Sequence, residues 1–233
     1  MKLKSLSFLI PAYNDEKTIE TVVRKAYRIG QDAAEQFEIV VINDGSRDKT
    51  GEILSRLKRQ SLHLDVLVHA GNKGYGETIR ELYYAGKYEW FFTIPGDFQI
   101  DPKEVTKLIP YADSADMIIG WRKNRRENTE RQLQTSVYNW LLRTLFPIDL
   151  HDINSVRLVR HTVIDAVSPV STSAFVDAEL TIGAVRKGLR VIEVPIIHKK
   201  RETEGAGGGK PSVILPTIVD MLRFAAKSFF FPL

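Results

Sequence analysis

Short apolar runs alternate with amphipathic stretches over the first 120 residues of the chain. The runs have the length and composition of buried strands, and the amphipathic stretches repeat their apolar positions with helical spacing. The predicted strands are residues 5–10, 38–42, 66–68, 90–94 and 116–119. The predicted helices are residues 15–29, 50–57, 74–85 and 102–109. This alternation predicts an α/β domain with a mainly parallel central sheet and right-handed crossovers.

The pattern changes after Gly120. Residues 122–131 are polar and basic and predict a loop that moves. Residues 204–210 are Gly-rich and predict a mobile lid, with a plain linker as the alternative. The further predicted elements are strands at 156–159 and 191–194 and helices at 132–146 and 175–187.

The end of the chain has a different character. Residues 212–233 are amphipathic to apolar and include three consecutive phenylalanines at 229–231. Because adjacent exposed phenylalanines are a liability in a soluble monomer, we expect this segment to pack on the domain or to lie against a membrane or a partner. The predicted organisation is one large domain over 1–211 and a C-terminal helix over 212–233.

Composition narrows the classes of protein. The 233 residues include no cysteine, which excludes disulfides and thiolate metal sites and fits a reducing compartment. No run reaches the roughly 18 apolar residues that a membrane span requires. The net charge is +4, and basic residues cluster in 122–131 and 199–210 without interleaved aromatic residues. These clusters favour phosphate or anionic lipid over nucleic acid as a partner, with a solvated basic loop as the alternative.

Three predicted strands run directly into a polar turn that carries an acid. The turns are PAYND at 11–15, NDGS at 43–46 and PGDFQ at 95–99. In parallel sheets, ligands gather at the carboxyl ends of the strands. The three turns therefore predict one shared site for a nucleotide and a metal ion.

As a set, the three turns resemble those of the family 2 nucleotide-sugar glycosyltransferases, in particular the branch that makes polyprenyl-phosphate sugars. Support comes from an N-x-G-x-G turn at 72–76, where family glycines permit close approach to the donor, and from an E-V-P segment at 193–195. The resemblance covers residues 5–215 and implies a glycosyltransferase A-type (GT-A) fold. The donor-binding residues that it implies are Pro11, Ala12, Tyr13, Asp15, Ile42, Asp44, Lys73, Gly96, Asp97, Arg201 and Lys210.

The same resemblance implies a divalent metal ion, Mg²⁺ or Mn²⁺, held by Asp97 and Gln99. The branch has an acid at the place of Pro95, whose side chain cannot ligate a metal. The metal would then depend on Asp97, Gln99, water and the donor diphosphate. Asp101 is expected to cap the helix that begins at Pro102.

On the acceptor side, the resemblance implies cations rather than a base. A lipid phosphate is already anionic, so it needs positive groups to hold it but no general base to activate it. Arg122, Arg131 and Thr135 are placed at the acceptor phosphate, and Asp97, Arg122 and Arg131 are the implied catalytic residues. The implied reaction is inverting transfer of a hexosyl unit from GDP-mannose or a UDP-sugar to a polyprenyl phosphate, by a cytoplasmic protein peripheral at the inner face of a membrane.

Two other functions stay open. Transfer to a saccharide or another hydroxyl acceptor would need a base, for which Asp152 and Asp177 are the first candidates. A donor-binding pseudoenzyme is the second, because Pro95 removes a metal ligand. A membrane subunit and a second copy of the chain are further candidate partners. Arg157 is either part of the acceptor site or a surface strand residue, and the five histidines, without metal-ligand spacing, are expected to have ordinary surface or core roles.

Overall fold

The described residues form a seven-stranded sheet with helices on both faces. A computed structural model of the chain describes residues 1–60, 62–122, 138, 140–146, 148–199 and 211–230. The strands are β1 Leu3–Ala12, β2 Ala34–Asn43, β3 Leu64–Val68, β4 Trp90–Thr93, β5 Met117–Arg122, β6 Arg157–Arg160 and β7 Val191–Ile196. They lie in the order β3-β2-β1-β4-β6-β5-β7.

The helices fall close to the predicted ones. They are α1 Ile19–Ala33, α2 Thr50–Lys58, α3 Tyr75–Ala85, α4 Val105–Leu108, α5 His161–Val167, α6 Val176–Arg186 and α7 Pro211–Phe230. Short 3₁₀ turns flank α4, and residues 140–145 are also helical. Helix α5 was not predicted, because seven residues are too few to display a helical period. Within the described ranges, no helix combines the length and apolarity needed to cross a membrane.

The sheet is mainly parallel, as predicted. Strands β3, β2, β1 and β4 run parallel to one another, and β5 is parallel to β7. Strand β6 is antiparallel to both of its neighbours, β4 and β5. The start of β6 therefore lies at the edge where the parallel strands end. This is the edge at which open α/β sheets bind their ligands.

The side chains of β1 alternate between two apolar cores. Phe8 and Ile10 join the core that includes residues of α1, α2 and α4. Leu9 joins the core that includes residues of α3, α5 and α6. A two-residue alternation of this kind buries both faces of the strand and explains its continuous apolar sequence.

Helix α7 packs on the domain along one face. Met221 is 1% exposed and belongs to a third apolar cluster. The Phe224 ring lies 5.7 Å from the ring of Phe146 and 5.6 Å from that of Phe175, measured between centroids. The C-terminal helix is therefore anchored through its middle turns.

The predicted starts of two elements each differ from the structure by four residues. Helix α1 begins at Ile19 rather than at residue 15, because Asp15 forms a turn of its own. The Asp15 carbonyl accepts the Ile19 amide at 2.9 Å, and its Oδ2 atom accepts the Tyr13 amide at 3.0 Å. Strand β2 begins at Ala34 rather than at residue 38, since two polar residues interrupt the apolar pattern there.

Candidate active site

The ends of β1 and β4 are joined directly. The Gly96 amide donates a 3.1 Å hydrogen bond to the Pro11 carbonyl, and the Thr18 hydroxyl donates one of 2.7 Å to the Gly96 carbonyl. A Cβ atom at Gly96 would stand 2.8 Å from Oδ2 of Asp15, which favours glycine beside that carboxylate. The first and third motifs therefore form one surface at the carboxyl edge of the sheet.

The loops after β1 and β2 are also hydrogen bonded to each other. The Asn14 amide donates to the Ser46 hydroxyl at 3.0 Å, and the Arg47 amide donates to Oδ1 of Asn14 at 2.9 Å. The Asp15 amide donates to the Thr50 hydroxyl at 2.9 Å. Asn14 has a φ of 55°, a left-handed conformation that asparagine adopts more readily than most residues. All three predicted motifs thus meet at one edge.

The predicted donor-binding residues of these loops differ in accessibility. Ala12 and Ile42 are buried in the cores, so their side chains support the turns from below. Asp15 is also buried. Tyr13 is 41% exposed and offers an aromatic face that a nucleotide base could contact.

Asp44 holds the turn that leads into α3. Its Oδ1 atom accepts hydrogen bonds from Nδ1 of His69 and from the Lys73 amide, both at 2.7 Å. Its Oδ2 atom accepts the Gly74 amide at 2.9 Å and Nδ2 of Asn72 at 3.0 Å. Four donors match the capacity of a carboxylate. Asp44 lies at the predicted strand end, and there its carboxylate builds the 72–74 turn of the protein itself.

His69, which follows β3, extends this cluster. Its Nε2 atom lies 3.0 Å from Oε2 of Glu81, and Oε1 of Glu81 accepts a 2.7 Å hydrogen bond from Nζ of Lys73. Burial alone lowers the pKa of His69, but its hydrogen bonds to Asp44 and Glu81 raise the pKa above the ordinary histidine value. Sequence patterning missed this residue, although its place just after a strand, close before the 72–76 turn, was a usable signal.

Gly74 and Gly76 are glycines for different reasons. Gly74 has a φ of 90°, which side chains disfavour. A Cβ atom at Gly76 would stand 2.0 Å from the Ser173 carbonyl oxygen. The sequence predicted that a glycine here lets the donor approach closely. At Gly76 the group that approaches is instead the Ser173 backbone of the same chain.

The third motif forms a tight turn that carries Asp97 and Gln99. Oδ1 of Asp97 accepts a 3.0 Å hydrogen bond from the Gln99 amide, and Phe98 between them has a φ of 59°. Among the described residues, no group of three His, Cys, Asp or Glu side chains could hold a metal ion. One carboxylate and one amide oxygen suit a Mg²⁺ or Mn²⁺ ion that takes its other ligands from water and phosphate.

Pro95 fits the backbone at the place of the missing acid. The amides of its neighbours, Ile94 and Gly96, both donate 3.1 Å hydrogen bonds to carbonyls of β1. The nitrogen of Pro95 therefore faces the other side, where the pairing of β4 with β6 already ends at Thr93. Proline at this position interrupts no hydrogen bond of the sheet.

Asp101 caps the next helical turn, as predicted. Its Oδ1 atom accepts the Lys103 amide at 3.1 Å, and a proline occupies the first helical position. Its Oδ2 atom binds two ammonium groups, Lys25 at 2.6 Å and Lys199 at 3.2 Å. Both ammonium groups also lie over the ring of Phe98, 4.9 Å and 3.9 Å from its centroid. The turn that carries the predicted metal ligands is thus held from two sides.

Arg122, at the end of β5, forms a bidentate ion pair with Asp152. The Nε–Oδ2 and Nη2–Oδ1 distances are both 2.7 Å. Glu193 of β7 fixes the backbone here by accepting the amides of His151 and Asp152, each at 2.8 Å. The predicted acceptor-site cation and the first candidate base therefore neutralise each other in this structure.

Arg157 is 0% exposed, so its interpretation as a surface residue is wrong. Its Nη2 atom lies 3.1 Å from Oδ1 of Asp177. The same carboxylate accepts hydrogen bonds from the hydroxyls of Tyr75 and Tyr83, at 2.8 Å and 3.0 Å. Burial and the charge of Asp177 raise the pKa of both hydroxyls well above the ordinary tyrosine value. The second candidate base therefore belongs to a buried network that links α3, β6 and α6.

Four predicted site residues lie outside the described residues: Arg131, Thr135, Arg201 and Lys210. The predicted loop at 122–131 is described only at Arg122, and the predicted lid at 204–210 lies wholly outside. Their contributions to the site stay predictions.

Comparison with known proteins identifies the family of the chain. The chain belongs to glycosyl transferase family 2, whose sequence model matches residues 7–168. Two curated relatives are undecaprenyl-phosphate 4-deoxy-4-formamido-L-arabinose transferases. The one from Pseudomonas savastanoi pv. phaseolicola is 27% identical over 169 residues, covering 71% of this chain and 50% of the relative. The one from Pectobacterium atrosepticum is 23% identical over 203 residues, covering 86% and 61%.

This chain thus spans between half and about three fifths of the length of those relatives. Solved structures of glucosyl-3-phosphoglycerate synthase from Mycobacterium tuberculosis have a similar fold. One holds Mn²⁺, UDP and glucosyl-3-phosphoglycerate and matches with a TM-score of 0.74 at 16% identity, over 96% of this chain and 80% of that one. Another, with Mg²⁺ and UDP, matches with a TM-score of 0.74 at 15% identity, over the same shares. The predicted family and GT-A fold are confirmed.

Proposed function

We propose that the chain moves a sugar from a nucleoside diphosphate to a polyprenyl phosphate. The observation that carries the proposal is the joining of three motif-bearing strand ends, those of β1, β2 and β4, by hydrogen bonds at one edge of the sheet. Family membership supports the reaction class, and the names of the curated relatives support the lipid phosphate. The donor is a GDP- or UDP-sugar, and the experiment below decides between them.

Asp97 and Gln99 are the proposed holders of a divalent metal ion against the donor diphosphate. When bound, such an ion stabilises the charge of the leaving diphosphate as a Lewis acid. The turn between the two residues is rigid, because Asp97 accepts the Gln99 amide and Phe98 lies beneath two ammonium groups. Tyr13 is assigned to the nucleotide base, to which it offers an exposed ring.

The acceptor is proposed to be an anionic phosphate because both candidate bases are already engaged. Asp152 is paired with Arg122, and Asp177 with Arg157. A carboxylate whose oxygens already accept hydrogen bonds from a guanidinium is poorly placed to take a proton from a hydroxyl acceptor. A phosphate oxygen needs no base. It can attack the anomeric carbon while the diphosphate leaves with the bonding electron pair, and this single displacement inverts the configuration.

Positive groups are proposed to hold the two phosphate-bearing substrates. Arg122, oriented by Asp152, is assigned to the acceptor phosphate together with Arg131 and Thr135. The leaving diphosphate is assigned to Arg201 and Lys210. Guanidinium groups suit this task because they bind phosphate oxygens in pairs.

A membrane surface is the proposed location of the acceptor. The exposed apolar side chains of the C-terminal half include Trp140, Leu215, Val219 and Leu222. The last three recur along one side of α7, which also exposes Arg223 and Lys227. Apolar side chains beside basic ones suit an interface with anionic lipid headgroups. We place the protein at the cytoplasmic, inner face of a membrane for this reason.

The test is release of nucleoside diphosphate from a panel of GDP- and UDP-sugars, with undecaprenyl phosphate in detergent. Each donor is assayed with Mg²⁺, with Mn²⁺ and with chelator, using the whole chain and its Asp97→Asn variant. Asp113→Asn is the matched control, because Asp113 is exposed. We expect one donor to turn over only with lipid phosphate and metal, and Asp97→Asn to lose at least about a hundredfold in rate.

Other outcomes select between the remaining functions. Turnover with a saccharide acceptor and none with lipid phosphate would replace the proposed acceptor. Donor binding by calorimetry without turnover on any acceptor, and without a metal effect, would establish a donor-binding pseudoenzyme.

A further inference from the structure

The imidazole of His69 bridges two carboxylates. Its Nδ1 atom lies 2.7 Å from Oδ1 of Asp44, and its Nε2 atom lies 3.0 Å from Oε2 of Glu81. A carboxylate only accepts hydrogen bonds, so each ring nitrogen must donate. A neutral imidazole has one N–H, and only the imidazolium has two. The geometry is therefore satisfied by the charged form of His69.

The charges around the ring balance only when His69 is protonated. Asp44 faces it from the end of β2, Glu81 from α3, and Lys73 from the turn between β3 and α3. Two carboxylates, one ammonium and one imidazolium sum to zero. Loss of the proton leaves one net negative charge around the His69 side chain, which is only 6% exposed. The shielding of the His69 and Asp44 side chains from water strengthens this charge effect.

The cluster also controls the shape of the turn. Asp44 accepts the amides of Lys73 and Gly74, so its position sets the backbone of the turn. His69 ties Asp44 to Glu81 on α3, and Glu81 in turn holds the Lys73 ammonium. A neutral His69 can keep only one of its two carboxylate partners.

We propose that His69 is a positioning residue of the donor site, which as an imidazolium fixes the 72–74 turn and neutralises Asp44 and Glu81 beside the bound nucleotide. This inference rests on the proposed function, since it assumes that the edge beside Asp44 receives the nucleoside diphosphate. His69 itself touches no reacting atom. Its effect is on nucleotide affinity, which falls when the ring loses its proton.

The first test is an NMR titration of the whole chain with ¹⁵N-labelled histidine. At neutral pH we expect both ring nitrogens of His69 to carry protons. The His69 signals are identified by their absence in the His69→Gln variant. In Glu81→Gln the imidazolium loses one carboxylate partner, so its midpoint should move to lower pH. A His69 ring with a single N–H at neutral pH would overturn the proposal.

The second test is calorimetry with UDP and GDP, each with Mg²⁺, from about pH 6 to pH 9. As pH rises, we expect the nucleotide affinity to fall in one step around the midpoint found by NMR. In Glu81→Gln this step should occur at lower pH. His69→Gln should weaken binding about tenfold at neutral pH and abolish the step, since it removes a charge-assisted hydrogen bond. His63→Gln is the control, because His63 precedes β3 at the opposite edge of the sheet and bonds the Phe37 carbonyl.

The outcomes separate this inference from the proposed function. If a nucleotide binds but Glu81→Gln leaves the pH step in place, the role of His69 is overturned and the proposed function stands. If neither nucleotide binds, the donor-site role falls together with the proposed function, and the NMR titration still decides the charge of His69.

Discussion

Arg157 lies fully buried against Asp177, with its Nη2 atom 3.1 Å from Oδ1 of that carboxylate. The arginine starts β6, the aspartate lies in the first turn of α6, and the hydroxyls of Tyr75 and Tyr83 reach the same carboxylate from α3. Burial lowers the pKa of Arg157, but the charge of Asp177 and of its neighbours raises it above the ordinary value. The ion pair thus joins β6 to α6, and the two tyrosine hydrogen bonds connect both elements to α3.

Asp177→Asn should lower the free energy of unfolding by about 3–5 kcal/mol, because it leaves the guanidinium of Arg157 buried without a counter-charge. Urea denaturation followed by circular dichroism measures the change. Asp113→Asn, at an exposed position, should change stability by less than about 0.5 kcal/mol. A loss below 1 kcal/mol in Asp177→Asn would mean that water or a rearrangement compensates Arg157.

Gly76→Ala should destabilise the fold by about 1–3 kcal/mol or more, because the new methyl group meets the Ser173 carbonyl oxygen at 2.0 Å. The clash involves backbone, which cannot rotate away as a side chain can. Gly71→Ala is the matched control, since a Cβ atom there has nothing within 4 Å. Equal stabilities of the two variants, measured by thermal unfolding, would contradict the tight contact.

The stability that His69 contributes should depend on pH. Because its pKa is raised on folding, the contribution is fully present below the pKa of the unfolded chain and is lost as pH rises through the folded pKa. The difference in unfolding free energy between the natural chain and His69→Gln should therefore shrink between neutral and alkaline pH. A difference that stays constant over this range would show that the ring does not titrate there.

Leu215→Asn and Leu222→Asn should each weaken binding to vesicles that contain anionic lipid by about tenfold, since each removes an apolar side chain from the proposed interface. Co-sedimentation with vesicles measures the effect. Both residues are more than half exposed, so the fold should keep its stability. Leu67→Asn, at an exposed position of the edge strand β3, is the control and should bind as the natural chain does.

Pro95→Asp should tighten Mn²⁺ binding in the presence of UDP or GDP by about tenfold, because it adds a carboxylate at the place of the missing acid. The substitution fits the backbone, as Pro95 lies between two residues whose amides bond β1. Electron paramagnetic resonance of Mn²⁺ measures the free ion. An unchanged Mn²⁺ affinity would mean that the metal ion does not bind within reach of residue 95.

Much of the fold follows from sequence pattern, because buried parallel strands have apolar sequences that end at polar turns. The meeting of Pro11, Asp44 and Asp97 at one edge was predictable for the same reason. The start of α1 was not predictable, because the Asp15 carboxylate accepts the Tyr13 amide in a turn that precedes the helix. The local sequence pattern does not show from which backbone amides a carboxylate will accept hydrogen bonds.

The contacts between distant segments were hidden for a different reason. Arg157 is charged and reads as a surface residue until its partner, 20 positions later on another element, is known. His69 likewise has no motif, since Asp44 and Glu81 come from a strand end and a helix. The reversed direction of β6 depends on packing rather than on its four residues, so the sequence predicted a strand there without its orientation.

That reversal has a topological consequence. Since β5 and β6 are antiparallel neighbours, the chain leaves the sheet after Arg122 and re-enters it at Arg157 along the same edge. An antiparallel pair of this kind can be joined at one edge and needs no crossover beneath the sheet. A connection whose two ends meet at one edge can change in length without altering the order of the strands.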